Sequence, residues 1–381
     1  RMISWEAAFE MVADAIRALD DPDEAVLYTS GRTSNEAAFL WGTLARQIGT
    51  NNLPDCSNMC HESSGYALSR VIGIGKGTVK LEDFAKSDMI VVIGQNPGSN
   101  HPRMLTALAD AKQAGASVVS INPLVETGMG RFKHPQQPLR MLGRGARIAD
   151  EHLQVRVSGD AHLLKGLCKV VLSTGSIDRE FIEEHTEGFE DFAAAIEAVT
   201  WEDIVSGSGV EREDIERVGE AFASSERMII CWAMGLTQHR NSVAVIQEIA
   251  NLLFLGGHFG RPGAGACPVR GHSNVQGDRT VGITEIPGEA MLARLDEHFG
   301  ITSPRDHGHA AVEALQAIRE GRYDPETDEI LTNQWSRIIV HLPYAFQGKR
   351  MFPDVFRHDR RHLPMWDGVL EQIGPEPFPE D

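Results

Sequence analysis

No stretch of the 381-residue chain approaches the roughly 18 unbroken apolar residues that a membrane-spanning helix needs. The longest apolar runs, such as Met89 to Ile93, are strand-sized, so no membrane span is expected. Positive charge is also scarce: 36 Lys and Arg stand against 54 Asp and Glu, a formal net charge of -18. A surface this acidic repels phosphate backbones, which argues against a nucleic-acid partner. An anionic substrate would need a local cation to overcome the field. There are five cysteines, Cys56, Cys60, Cys168, Cys231 and Cys267, and only the first two are close together. An odd, scattered set is no disulfide framework; it suits a reducing compartment, and a cytoplasmic location is expected. Neither the G-x-G-x-x-G nor the Walker pattern is found at a strand end, so a simple NAD or ATP site is not indicated.

The remaining composition is that of a globular protein, 42% apolar and 24% charged, and the length suffices for two or more domains. Residues 3 to 19 read as an amphipathic helix, with Trp5, Phe9, Val12 and Ile16 close to helical spacing. Ala25 to Thr29 reads as a short strand running into Ser30 to Asn35 and then a helix through Ala37 to Ile48. The same unit recurs. Asp88 to Gly94 is a strand buried on both faces, followed by a polar turn to Asn100 and a helix from about Arg103 to Gly115. Ser117 to Ile121 is a strand stopped by Asn122-Pro123. His152 to Val157 is a strand closed by Ser158-Gly159-Asp160 before a helix through Leu163 to Leu172. Arg227 to Ala233 is a strand leading to Gly235 to Gln238 and a helix ending near Leu255. Strands alternating with helices imply an α/β class built of doubly wound parallel sheets.

Two stretches break the rhythm. Gly128 to Arg147 is basic and rich in Gly and Pro, and Gly256 to Gly282 reads as a long glycine-rich loop. After about Gly321 only Arg337 to Leu342 looks strand-like. Residues 350 to 381 carry Pro353, Pro364, Pro375, Pro377 and Pro379 and read as an irregular, Pro-rich tail, poorly packed or a docking arm.

Ligands of parallel sheets sit beyond the carboxyl ends of the strands. Small and amide-bearing residues at five such ends would let backbone N–H groups approach a large, nucleotide-like anion. Turns use Gly, Asn and Ser for their own reasons, so each loop taken alone has a structural explanation. The segment Cys56-Ser-Asn-Met-Cys60-His61-Glu62 puts a thiol beside an imidazole, which can serve as a soft-metal ligand or a nucleophile, or can be two buried, inert cysteines. No second cysteine pair completes a zinc site or an iron–sulfur cluster. In the loop from Arg261 to Gly277, Arg270 can hold an anion bidentately or can be a solvated arginine.

Taken in order, four segments resemble one family. They are Asn51-Asn52-Leu53 through Cys60-His61, Asn96-Pro97-Gly98-Ser99-Asn100-His101-Pro102, Trp232 through Gln238, and Pro268-Val-Arg270-Gly271-His-Ser-Asn274-Val-Gln276-Gly277. From about Ile3 to Val281 their order and spacing resemble the molybdopterin oxidoreductases of the dimethyl sulfoxide reductase superfamily, specifically the formate dehydrogenase-like alpha subunits. The resemblance implies a molybdenum or tungsten ion held by two molybdopterin guanine dinucleotides, with Cys60 as the protein's metal ligand. It implies that His61 sits beside the metal and helps move a proton, and that Arg270 holds the substrate carboxylate. It implies dinucleotide contacts from Gly94, Asn96, Pro97 and Ser99, from Asn122, from Gly159 and Asp160, from Gly235 and Gln238, and from Gly271 and Asn274. The implied reaction is two-electron oxidation of formate or a related small anion, with electron transfer to a partner protein or domain.

The resemblance also implies one α/β domain inserted in another. Residues 1–53 would begin the outer domain and 54–270 form the inserted domain with Cys60 and the dinucleotide loops. Residues 271–349 would complete the outer domain, atypically after 321, and 350–381 form the tail. The family's [4Fe-4S] segment is expected upstream of the matching region, and its C-terminal β-barrel is not found. The chain is therefore expected to be a truncated or altered product, or one part of a split subunit. Glu62 stands where formate-oxidising members tend to carry a small residue, so the less characterised branch is the nearer one. Two other readings stand beside the enzyme: a non-catalytic remnant of one, and a nucleotide-binding regulatory module.

Overall fold

The computed structural model describes residues 3–136, 145–311 and 313. The chain separates into two compact units, one made of Arg1–Met59 together with residues from His272 onward, the other of Cys60–Gly271. The second unit is thus inserted, in chain order, within the first.

The inserted unit is built on a five-stranded sheet: β1 (Met89–Ile93), β2 (Ser117–Ile121), β3 (Glu151–Leu153), β4 (Met228–Trp232) and β5 (Gly265–Pro268). The strand order is β3-β2-β1-β4-β5 and every pairing is parallel. β1 explains why the layers form. Its five apolar residues are all buried, and alternate side chains face opposite sides. Met89, Val91 and Ile93 join a core with Leu163, Leu167, Ile249 and Leu253, from the helices Asp160–Thr174 and Ser242–Leu255. Ile90 and Val92 join a second core with Leu105 and Leu108 of the helix Pro102–Gln113. Helices on both faces make this a doubly wound α/β sheet, as the alternating pattern predicts. Each such Val or Ile contributes about 1.5–3 kcal/mol on burial.

Three details differ from expectation. The stretch Gly256 to Gly282 is not one long loop: it contains β5 and the helix Val275–Thr280. Gly-Ala-Cys-Pro has too few bulky residues to look like a strand, and it becomes one because β4 has a free edge to pair with. Between β3 and β4 the chain forms further helices after Asp160–Thr174, namely Arg179–His185, Phe189–Ala198, Trp201–Ser208 and Arg212–Ala223. β3 is also shorter than His152 to Val157: its ladder ends at Leu153.

The outer unit holds the helices Trp5–Arg17, Asn35–Ile48, Val275–Thr280 and Glu289–Phe299 among its described residues. Its core is Ala25, Leu27, Ala38, Ala45, Leu53 and Ile283. The expected strand Ala25 to Thr29 runs parallel to Asn52–Asp55 but closes only one bridge, Thr29 with Asp55. Leu27 N donates to Asn52 O (2.9 Å) and Thr29 N to Pro54 O (3.0 Å). Pro54 has no N–H to return, which limits the ladder. No helix among the described residues is long and apolar enough to cross a membrane. The expected strand Arg337 to Leu342, the tail 350–381 and part of the basic excursion (137–144) lie outside the described residues.

Candidate active site

Because the five strands among the described residues of the inserted unit are parallel, their carboxyl ends share one edge. Chain order reverses there between β1 and β4, which pair directly. Such a reversal opens a crevice beyond the strand ends. Gly94 and Gly235 face each other at this point: Gly235 N donates to Gly94 O at 3.0 Å. A Cβ on Gly94, whose φ is +59°, would stand 2.4 Å from Leu236 Cδ1, and one on Gly235 would stand 2.5 Å from Gly94 O. Close approach of the two loops accounts for both glycines.

The other strand-end residues are partly committed to the fold. Asn96 caps the short helix Pro97–Asn100, accepting from Ser99 N (3.2 Å), and its Nδ2 donates to Glu126 Oε2 (2.6 Å). Asn122 Nδ2 donates to Gln95 O (3.2 Å). Gly159 and Asp160 begin the helix after β3, and Asp160 is buried. Burial raises the Asp160 carboxyl above its usual range, against the opposing pull of its own backbone N–H and of His239. Ser158, just before, has φ +65°, a left-handed conformation seen in no other non-glycine residue among those described. Its Oγ lies 3.0 Å from His239 Nδ1. His239 was not apparent from sequence; its position next to Gln238 was the available signal.

Cys60 closes the short helix Ser57–Cys60 and is half-buried. Burial pushes its thiol up, while the Gly271 N–H and the Arg270 charge pull it down. The Gly271 N–H is thus hydrogen-bonded to the thiol, and the Arg270 charge is near enough to act on it. Gln238 Nε2 also reaches this turn, donating to Cys60 O at 3.3 Å. His61 is buried, and burial followed by the Arg270 charge lowers its pKa to about 4. The ring is therefore neutral at neutral pH. Its Nε2 lies 3.0 Å from Val269 O, and a carbonyl can only accept, so Nε2 carries the proton. Nδ1 then accepts from Ser64 Oγ (3.0 Å), and that hydroxyl accepts from Trp232 Nε1 (2.9 Å).

The structure thus brings Cys60, His61, Gln238, Arg270 and Gly271 together in the inserted unit. Asn274 belongs to the outer unit. There its N donates to Gly31 O (2.6 Å), and its Nδ2 faces Thr33 O and Asn35 Oδ1 at 2.8 Å each and Asp278 Oδ1 at 3.2 Å. Its donor side is spent within the protein. Cys56 accepts from Gly31 N at 3.1 Å, a structural use of a thiol. Ser64, Trp232 and His101 line the Cys60–Arg270 region; Trp232 and His101 lie in two of the resembling segments, with no role expected of them there.

Residues 1–321 match the family profile described as molybdopterin oxidoreductase. The chain belongs to this family. An uncharacterized oxidoreductase of Mycobacterium tuberculosis (strain ATCC 25618 / H37Rv) is 52% identical over 328 residues, covering 84% of this chain and 42% of that protein. Protein YdeP of Escherichia coli (strain K12) is 47% identical over 331 residues, covering 84% of this chain and 44% of YdeP. A Staphylococcus aureus (strain MRSA252) protein that carries a provisional formate dehydrogenase name is 29% identical, covering 84% and 32%. The chain therefore spans less than half the length of these curated relatives. Among solved structures, acetylene hydratase from Pelobacter acetylenicus shares the fold, with a TM-score of 0.58 at 19% identity, covering 70% of this chain and 34% of that one. Family membership implies a molybdenum or tungsten pterin cofactor.

Proposed function

We propose that this chain supplies the metal-binding part of a formate dehydrogenase-like oxidoreductase that takes two electrons from formate or a related small anion. The observation that carries the reading is the hydrogen bond between Cys60 and the Gly271 N–H, which brings the thiol to the segment that leaves the carboxyl end of β5 with Arg270 in it. The donor set fits the group that family membership implies. A half-buried thiol is a soft ligand suited to a heavy metal once deprotonated, and a neighbouring N–H and guanidinium favour the thiolate. Asp160, buried at the start of the helix after β3, offers a carboxylate to ring N–H donors of a dinucleotide base. Gln95 Oε1 is buried without a hydrogen-bond partner among the described residues.

In this reading the pterin-bound metal is the acceptor of the electron pair when present. The chain's residues do the rest. Cys60 anchors the metal, Arg270 holds the substrate anion against the acidic surface, and the strand-end loops orient the dinucleotides, two of them in guanine form. An iron–sulfur partner domain would carry the electrons onward. The coexistence of Cys60, His61 and Arg270 in one place favours an enzyme over a non-catalytic remnant or a regulatory module.

Substitution in the full-length protein tests the assignment. Cys60→Ala should abolish dye-linked electron transfer from formate while leaving the fold, and retained activity would defeat the metal-ligand role. Arg270→Ala should raise the KM for the anion by roughly tenfold to a hundredfold, since a hydrogen bond to a charged group is worth about 1.5–3 kcal/mol. Loss of pterin content ahead of any KM effect would move Arg270 to the cofactor.

A further inference from the structure

The main chain at Arg270 is held from both sides by histidines. His61 Nε2 lies 3.0 Å from Val269 O, and His101 Nε2 lies 3.2 Å from Arg270 O. Two successive carbonyls are thus each met by an imidazole Nε2–H. The far nitrogen of each ring is also engaged. His61 Nδ1 accepts from Ser64 Oγ (3.0 Å), which Trp232 Nε1 backs at 2.9 Å. His101 Nδ1 accepts from Gln95 Nε2 at 3.2 Å. Carbonyls only accept and an amide nitrogen only donates, so both rings are confined to one tautomer.

The supports are rigid. Trp232 is the last residue of β4 and fully buried, and Ser64 is fully buried in the helix Glu62–Val71. Gln95 and His101 flank the short helix after β1. The clamps therefore tie Val269 and Arg270 to the ends of β1 and β4, the two strands at the chain reversal.

We propose that His61 and His101 are paired positioning residues that fix the Arg270 main chain, with Ser64, Trp232 and Gln95 locking the two rings. His61 then acts on Arg270 through the Val269 carbonyl that it holds. That this segment holds a substrate rests on the functional reading above; the clamp itself rests on the hydrogen bonds.

The test uses the full chain labelled with [15N]histidine, with long-range proton–nitrogen spectra to read each ring's tautomer at neutral pH. His61→Gln and His101→Gln assign the two rings. Both should show the Nε2–H pattern. Ser64→Ala should move the His61 Nδ1 resonance, whose hydrogen bond it removes, while Nε2 stays protonated against Val269 O, and should leave His101 unmoved; Gln95→Leu should do the same to His101 Nδ1 alone, and Ser64→Thr should restore the His61 Nδ1 resonance. An Nδ1–H pattern in either ring, or a His61 Nδ1 resonance unmoved by Ser64→Ala, would overturn the proposal. Metal analysis of the natural full-length protein separates the two claims. Locked tautomers without metal would leave the clamps standing and remove the functional reading. Bound metal with Nδ1–H rings would remove the clamps alone.

Discussion

Arg279 Nε lies 3.0 Å from Asp55 Oδ2 in the outer unit. Asp55 is almost fully buried, and its Oδ1 also accepts from Ser57 N at 2.7 Å. Arg279 further donates to Ser57 Oγ (3.2 Å) and to Glu285 Oε2 (2.7 Å). One guanidinium therefore secures the turn through which the chain reaches Cys60.

Arg279→Ala should destabilise the outer unit, because it leaves the Asp55 charge buried and unpaired. Removing one partner of a buried pair costs about 3–5 kcal/mol, and the lower end applies here since Arg279 still touches solvent. Denaturant unfolding measures it. Adding Asp55→Asn should recover part of the loss; no recovery would mean that Arg279 acts mainly through Glu285.

Asp278 lies fully buried in the same cluster, with Oδ2 lacking a hydrogen-bond partner. Burial first and the Asp55 charge second push its carboxyl up from 3.8 to about 7, against the Asn274 hydrogen bond. The folded state thus holds a proton that the unfolded chain releases near 3.8. The resulting stability is fully present below that value and is lost as pH rises through about 7. Asp278→Asn should therefore raise the melting temperature above neutral pH and give no gain near pH 4. An equal effect at both ends would contradict the linkage.

Gly235→Ala should cost the inserted unit about 1–3 kcal/mol, because the added methyl meets backbone that cannot move away. The contact is Gly94 O at 2.5 Å and Gly94 Cα at 2.6 Å. Thermal unfolding of the variant checks this. Unchanged stability would show that the two loops separate readily, as a ligand-holding role for these glycines would favour.

The legible parts of the fold were those with a strong local signature. Met89–Ile93 and Met228–Trp232 are apolar on both faces because helices cover both sides of the sheet, and that doubled burial appears directly as an unbroken apolar run. Gly265–Pro268 is a strand by virtue of its neighbour, and nothing local announces it. Cys60-His61 and Arg270 stand out in the sequence because few side chains can ligate a soft metal or fork an anion. Ser64, Trp232 and His101 do not, since they act through contacts between residues as far as 169 positions apart. Asn274 read as a ligand-facing amide, but its donors turn inward to Thr33, Asn35 and Asp278, a choice set by three-dimensional proximity.

The central claim is that Cys60 anchors a pterin-bound heavy metal. Mass-spectrometric measurement of molybdenum and tungsten in the natural full-length protein, beside its Cys60→Ala variant, tests this most directly. The account predicts close to one metal ion per natural chain and a clear loss in the variant. Absence of both metals from a host that makes the pterin, or full retention in the variant, would contradict it.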